Sequence, residues 1–571
     1  MPLFQTVPKF GIARTARTIR RGADMENQRF LRHAALVAVL AVFCWSPAVG
    51  QPAKGTLIFA VESLSAQTMD PILEARPGNA IYQAPMYDSL VGFDLDKGGT
   101  GPGVAERWVL SDDGLGWTFY LRPGQTFHNG DGLTARDVQF SLQRQMAPHS
   151  MASAAATLRR VIKSIDAIDD LTLRVNTVSP QIGLPASLSR AVATEGTVMP
   201  KNYIEKVGED EFRRKPVGSG PWRFVRSVPG DRIEFEATGT PHWRGTPHFK
   251  SLHILLVPED STRVAMVRTG EAAIASIGPE TMLSATRGGL EVLSVPGTMQ
   301  ALFQFWGTYR PEFKDSPVAN KRVRQALSLA IDRQQIIDHV MNGKARMPLP
   351  FDAFGYTEYF NRDRWEKWSA EALRYDPVLA KKILAEEGYP NGFDLNFANT
   401  ALPGTQFMVD IGSAVADMWT KIGVRVKLKH YEWGSFAPLS RGDQAHLAGG
   451  ASMYRTAGRP DMPWRYESSF AADSEQHLIG DKTTCDTTCQ AFGTIYRDLL
   501  AERDPVKRTA LSDRMVELVA DTWTAVPIIE GMGYYAINKR LVGQFTAIPG
   551  RHELGDVFER IPRPDETPWK K

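Results

Sequence analysis

Residues 117–138 read WTFYLRPGQTFHNGDGLTARDV, and the fold is read outward from them. Trp117 to Leu121 has the aromatic and β-branched make-up of a buried strand. Asp112-Asp113-Gly114 before it and Arg122-Pro123-Gly124 after it carry turn chemistry. Thr134 is placed as an N-cap, with Asp137 three residues on, so a helix bearing Val138 and Phe140 should open there. Taken alone, this is a strand, a turn and a helix.

Similar signals recur along the chain. Gly55 to Glu62 (GTLIFAVE) is a near-continuous apolar run of strand length, which predicts a strand buried on both faces. Leu171 to Val175, Arg232 to Glu236, Leu252 to Val257, Ala301 to Trp306, Phe393 to Phe397 and the ragged alternation from Val424 to Tyr431 predict further strands. Helices interleave. Asn320 can cap one, Asp332 with Gln335 forms a capping box for a second, and Asp376 followed by Pro377 opens a third that stops at Gly388. Alternation of this kind means mixed α/β lobes. The glycine run from Gly98 to Gly103 lacks a preceding strand and a following helix, so it reads as a turn and not a phosphate loop.

Targeting and charge narrow the class. Arg29 and Arg32 precede an apolar run from Ala34 to Trp45, and Ala48-Val49-Gly50 supplies small residues before Gln51. That is the layout of a secretory signal peptide over residues 1–50. The run is too short to cross a bilayer, which takes roughly 20 apolar residues. Met25 is an alternative translation start. Phe43 before Cys44 is too large for lipoprotein processing. Removing residues 1–50 leaves 60 basic against 62 acidic residues, which implies no nucleic-acid partner. The remaining ~520 residues exceed what one core supports, so two or more lobes are expected.

The stretch from Tyr87 to Ser141 closely resembles the signature of the dipeptide/oligopeptide-type solute-binding proteins that serve ABC importers. Thr68-Met69-Asp70-Pro71, Pro216 to Trp222 (PVGSGPW), Val323-Arg324-Gln325-Ala326-Leu327 with Ala330-Ile331-Asp332-Arg333, Tyr375-Asp376-Pro377 through Phe393, and Trp419 with Ile422-Gly423-Val424 follow in that family's order. The resemblance implies an α/β, two-lobed periplasmic-binding-protein fold with a hinge, of the large type with an extra subdomain. Lobe I would take 51–86, 217–308 and 535–571; the subdomain 87–216; lobe II 309–534. Crossovers near Trp306 and Tyr534 would form the hinge. The implied function is a periplasmic substrate-binding component that captures a peptide or peptide-like solute and delivers it to an ABC permease and its ATPases. It implies a monomer, without catalysis, cofactor or metal.

In peptide-binding members of that family, an aspartate in a Trp-rich loop of the second lobe meets the peptide ammonium. The matching positions here read Tyr454-Arg455-Thr456, with Asp461 the nearest acid. Arg455 suits a carboxylate or phosphate on the ligand, which makes a modified peptide, an amino-acid conjugate or another solute a candidate beside ordinary peptides. Trp306, Trp433 and Tyr454 are expected to stack on flat or apolar ligand parts, and Glu62 to accept a hydrogen bond. Each has a plainer reading, as packed aromatic, rim arginine or solvated carboxylate. Cys485 and Cys489, in an exported chain, are expected to form a disulfide across a helix start; zinc with His477 falls short of four ligands.

Other classes leave weaker traces. An exported hydrolase would need a nucleophile elbow or zinc motif, and neither Gly-x-Ser-x-Gly nor His-Glu-x-x-His occurs. His128 reads as structural. A ligand-binding subunit of a chemosensory receptor would use the same surface and is not separable by sequence. Eleven unclustered histidines argue against haem or nickel cargo.

Overall fold

The computed structural model describes residues 55–73, 80–94, 99–152, 155–189, 196–354, 357–401, 405, 407–436, 438–440, 446–457, 462–474, 476–548 and 554–566. The expected signal peptide and Asp461 lie outside the described residues, as does the side chain of Trp433.

In chain order the strands are β1 (Thr56–Val61), β2 (Val91–Phe93), β3 (Thr100–Pro102), β4 (Ala105–Leu110), β5 (Gly116–Leu121), β6 (Ile162–Ala167), β7 (Thr172–Thr177) and β8 (Trp222–Val228). They continue as β9 (Arg232–Ala237), β10 (Ser251–Leu256), β11 (Ile274–Ile277), β12 (Glu291–Phe305), β13 (Asp394–Ala401), β14 (Arg425–Glu432), β15 (Ala451–Ala457) and β16 (Ala525–Ile537). Ten of them form one sheet in the order β14-β13-β15-β12-β16-β11-β1-β10-β9-β8.

Strand β1 shows why its sequence is apolar throughout. It runs parallel to β10 and β11 on its two sides. Leu57, Phe59 and Val61 enter one core and Ala60 another, on the opposite face. The same holds for the far half of β12, where Ala301, Phe303 and Phe305 join one cluster and Leu302 another. A strand between two cores has no polar face to show.

Strands β12 and β16 carry the sheet from one half to the other. β12 pairs antiparallel with β16 along most of its length, while β11 takes the C-terminal half of β16 and β15 the C-terminal half of β12. The β12–β16 register shifts between Pro296 and Met299, where Gly297 adopts φ 70°. Proline tolerates a bulge because it has no ladder hydrogen bond to lose there, and glycine supplies the left-handed backbone. Pro296 and Gly297 hide this strand in the sequence, where only Ala301 to Trp306 reads as extended. Tyr534 lies close to the irregularity. Trp306 sits at the other end of β12, beyond it.

The expected caps form. Asp137 accepts from the Thr134 amide at 2.9 Å, Asn320 from Arg322 at 2.9 Å, Asp332 from Gln335 at 2.9 Å and Asp376 from Leu379 at 2.9 Å. Arg333, 1% exposed, donates to the carbonyls of Pro527 and Leu373, both at 3.0 Å, and so ties the helix Arg333–His339 to β16. Trp419 packs on Phe303 edge-on at 5.1 Å and donates to the Leu327 carbonyl at 2.8 Å. Gly392 lies so near Gly423 that a Cβ would meet its carbonyl oxygen at 1.7 Å. These motif residues are scaffold.

Strands β4, β5, β7 and β6 make a separate antiparallel sheet backed by the helix Ala135–Gln145. Its core includes Phe119, Leu121, Val138 and Leu142, and also Trp464 from the helix Met462–Phe470. Around that contact, Arg160 pairs with Glu467 and with Asp473 at 3.1 Å, and Arg503 donates to the carbonyls of Ser111 and Asp112 at 2.8 Å. Asp70, fully buried, receives Arg144 Nη2 at 2.9 Å and anchors this sheet's helix to the segment after β1.

Candidate functional site

A cleft of about 730 Å³ opens where the sheet changes halves. One wall comes from the C-terminal ends of β1 and β11 and the start of the helix Pro279–Arg287: Glu62, Ser276, Gly278, Pro279 and Glu280. The opposite wall comes from the ends of β13 and β14, with Asn399, His430 and Glu432. Met299 of β12 and Gly533, Tyr534 and Tyr535 of β16 form the floor. Open α/β sheets bind ligands beyond the carboxyl ends of their parallel strands, because loops and unpaired backbone groups converge there. The size suits a solute of a few hundred daltons, since ligand pockets span roughly 300–1,000 Å³.

The electrostatics of the lining are lopsided. Arg263 is spent on the fold: it donates to the carbonyls of Ser276 at 2.7 Å, Val257 at 2.6 Å and Pro258 at 2.7 Å, and pairs with Asp260. Asp260 is likewise occupied, accepting from the Gly278 amide at 2.9 Å and from the Thr281 hydroxyl. Glu62 accepts from the Ser276 hydroxyl, which fixes one carboxylate oxygen at the wall. Glu280 and Glu432 line the cleft as exposed side chains. Three carboxylates thus face the cleft, with exposed His430 the basic group beside them. Tyr534 donates to the Lys344 carbonyl, and burial raises its phenol well above the ordinary range, so it stays neutral.

The residues expected to bind ligand are not gathered in one place. Glu62 lines the cleft. Trp306 is fully buried, donates from Nε1 to the Ser452 hydroxyl at 2.9 Å and packs with Leu302 and Phe436, which places it in the core rather than on the cleft. Tyr454 is half-buried against that same core, beneath the guanidinium of Arg465 at 5.8 Å. Trp433 opens the short helix Trp433–Phe436, next to the Glu432 that lines the cleft. Arg455 is half-buried on β15 opposite Ala301. Strand alternation puts it on the sheet face of Met299, one pair away from the cleft floor. Cys485 and Cys489 are joined, with Cα atoms 5.2 Å apart. Asp486 between them caps the helix Thr487–Ala501 by accepting from the Cys489 amide at 3.0 Å, so the bridge straddles a helix start.

Sequence reading missed Glu280, Asn399, His430 and Glu432. For Asn399, His430 and Glu432 the signal is position at or just past the end of a strand expected from sequence; Glu280 follows β11, a strand that no expected pattern marks out.

Residues 100–477 match the model described as bacterial extracellular solute-binding proteins, family 5 Middle. Heme-binding protein A of Haemophilus influenzae is 27% identical over 499 residues, spanning 83% of this chain and 86% of the relative. The dipeptide-binding protein of Escherichia coli is 25% identical over 502 residues, spanning 83% and 89%. DppA from Helicobacter pylori, solved in complex with the peptide STSA, superposes with a TM-score of 0.70 at 21% identity, covering 90% of this chain and 98% of that one. With about two thirds of its length inside the family match, the chain belongs to the bacterial extracellular solute-binding proteins, family 5.

Proposed function

We propose that this protein is the periplasmic substrate-binding component of an ABC importer, and that it closes on a small zwitterionic, peptide-like solute. The observation that carries the ligand class is the set of three carboxylates, Glu62, Glu280 and Glu432, facing one cleft between the two halves of the sheet. A cationic amine placed there gains charge-assisted hydrogen bonds, and closure that excludes water strengthens them. Relatives named for dipeptides, and a neighbour solved with a peptide, support an amine-bearing solute. Arg455, on the floor's face of the sheet, is suited to the solute's carboxylate. The Pro296–Met299 irregularity opposite Gly531 is the proposed hinge, where closure would rotate one half against the other.

Catalysis forms no part of this reading: the family is one of binding proteins, and the cleft groups are spent on scaffold or suited to charge pairing. Residues 1–50 would direct export, and none of the described helices is long and apolar enough to cross a membrane. A monomer is proposed, delivering solute to a permease.

Native mass spectrometry of the exported protein, followed by release of any retained molecule, tests the ligand class. A species with a primary or secondary amine, whose affinity falls roughly tenfold or more in Glu62→Gln, is the expected result. A retained haem, or an anionic solute without an amine, would sink the proposal.

A further inference from the structure

The walls and the floor of the cleft differ in chemistry as well as in position. Glu62 and Glu280 stand on one wall and Glu432 on the other, and the floor between them is apolar and aromatic, with Met299, Met532 and Tyr534. Phe407, at the start of the helix Phe407–Lys421 that packs on β13 and β14, extends that apolar surface.

The charges of the lining do not balance. Arg263, the one arginine or lysine among the described lining residues, is spent on Asp260 and on backbone carbonyls. Against the three glutamates stands His430, whose imidazole brings at most one positive charge. A solute with a single amine therefore leaves at least one carboxylate unanswered when the cleft closes, and an unpaired charge shut away from water is costly.

Glu432 is the carboxylate left over. Glu62 is steadied by the Ser276 hydroxyl. Glu280 lies in the first turn of the helix Pro279–Arg287, whose amino end offsets part of its charge. Glu432 is exposed at the end of β14, opposite Ala401, and has no helix start to help it. The lysines of its own strand are engaged elsewhere. Lys427 pairs with Asp394 at 2.9 Å. Lys429 points to the other face of the strand, where its ammonium lies 4.6 Å from the Tyr431 ring centroid.

An acid on each wall with an apolar floor between them is complementary to two cations joined by methylenes. We propose, resting on the reading of the cleft as the solute site, that the solute carries a second cation on a methylene chain, as a lysine-, ornithine- or arginine-type side chain does, and that Glu432 is the specificity-determining residue that pairs with it. The α-amine then meets Glu62, and the chain lies over Met299 and Met532, whose flexible thioethers adapt to it. Each cation engages a different half of the sheet. A solute that holds both halves favours closure by its differential affinity for the closed arrangement, so the second cation serves closure as well as recognition.

Isothermal titration of the exported protein with lysyl-alanine, norleucyl-alanine and alanyl-alanine tests it. Norleucine keeps the methylene chain of lysine and drops the charge. Lysyl-alanine should bind roughly tenfold or more tighter than norleucyl-alanine, and Glu432→Gln should remove most of that preference, whereas Glu62→Gln should weaken both peptides alike. Equal affinities for the lysyl and norleucyl peptides, both lowered by Glu62→Gln, would overturn the second cation and leave the reading of the cleft standing. A lysyl preference that survives Glu432→Gln would strike out Glu432 as the partner. Binding of none of the three peptides would sink the reading of the cleft and the second cation together.

Discussion

Glu530 sits on β16, one residue before the glycines at the proposed hinge, and is 5% exposed. Its backbone bridges to Arg346 through bonds of 2.9 and 3.0 Å. Burial pushes its carboxyl from the ordinary 4.5 up to about 7, with Arg346 and Arg362 pulling the other way and Glu366 adding to the rise. A carboxyl raised in the folded state holds its proton longer there than in the unfolded chain. Below pH 4.5 both states are protonated and no cost arises. Between 4.5 and about 7 the folded state binds more protons, so stability falls as pH rises, and above about 7 the full cost is present. At about 1.4 kcal/mol per pH unit, that gap is worth about 3 kcal/mol. Glu530→Gln keeps the shape and removes the ionisation. The variant should gain up to about 3 kcal/mol over wild type at pH 8 and nothing at pH 4.5, read by urea unfolding at half-unit pH steps. Parallel profiles for the two proteins from pH 5 to 8 would refute the reasoning, because they would show that Glu530 ionises as it does in water.

Three further outcomes are expected. Arg455→Ala should weaken solute binding, measured by titration, while leaving the melting temperature in place; unchanged affinity would remove Arg455 from the site. Arg160→Ala removes the ion pair to Glu467, which is 4% exposed, and that to Asp473, and so loosens the contact between the smaller sheet and the helix Met462–Phe470. Small-angle scattering should then report a more open protein at equal solute concentration, with affinity reduced roughly tenfold; an unchanged radius would show that the contact does not govern closure. Replacing Cys485 and Cys489 by serine should cost about 2 kcal/mol in urea unfolding, the chain-entropy value for so short a loop, and should leave solute affinity as it was.

What the sequence determined by itself is what local chemistry dictates. The caps at Thr134, Asn320, Asp332 and Asp376 reach only two or three residues along the chain, so their side chains and their targets are read together. The two-sided burial of β1 was legible for a similar reason: a strand between two cores must be apolar at every position, and Thr56–Val61 is nearly so. The order of such elements along the chain was enough to indicate the family.

What only the tertiary structure decided is what depends on partners far apart in sequence. The cleft joins Glu62 to Glu280, Glu432 and Tyr535, and no local pattern distinguishes these from other polar residues at strand ends. Strand β12 is fifteen residues long across Pro296 and Gly297 because β16 runs beside it, and nothing in its own stretch announces that neighbour. Trp306 could have faced ligand or core; the Ser452 hydroxyl, 146 residues on in the chain, turns it inward. Propensity and capping act over one helical turn. Which strand ends share a cleft is set by sheet order, and that follows from the burial of whole faces against each other.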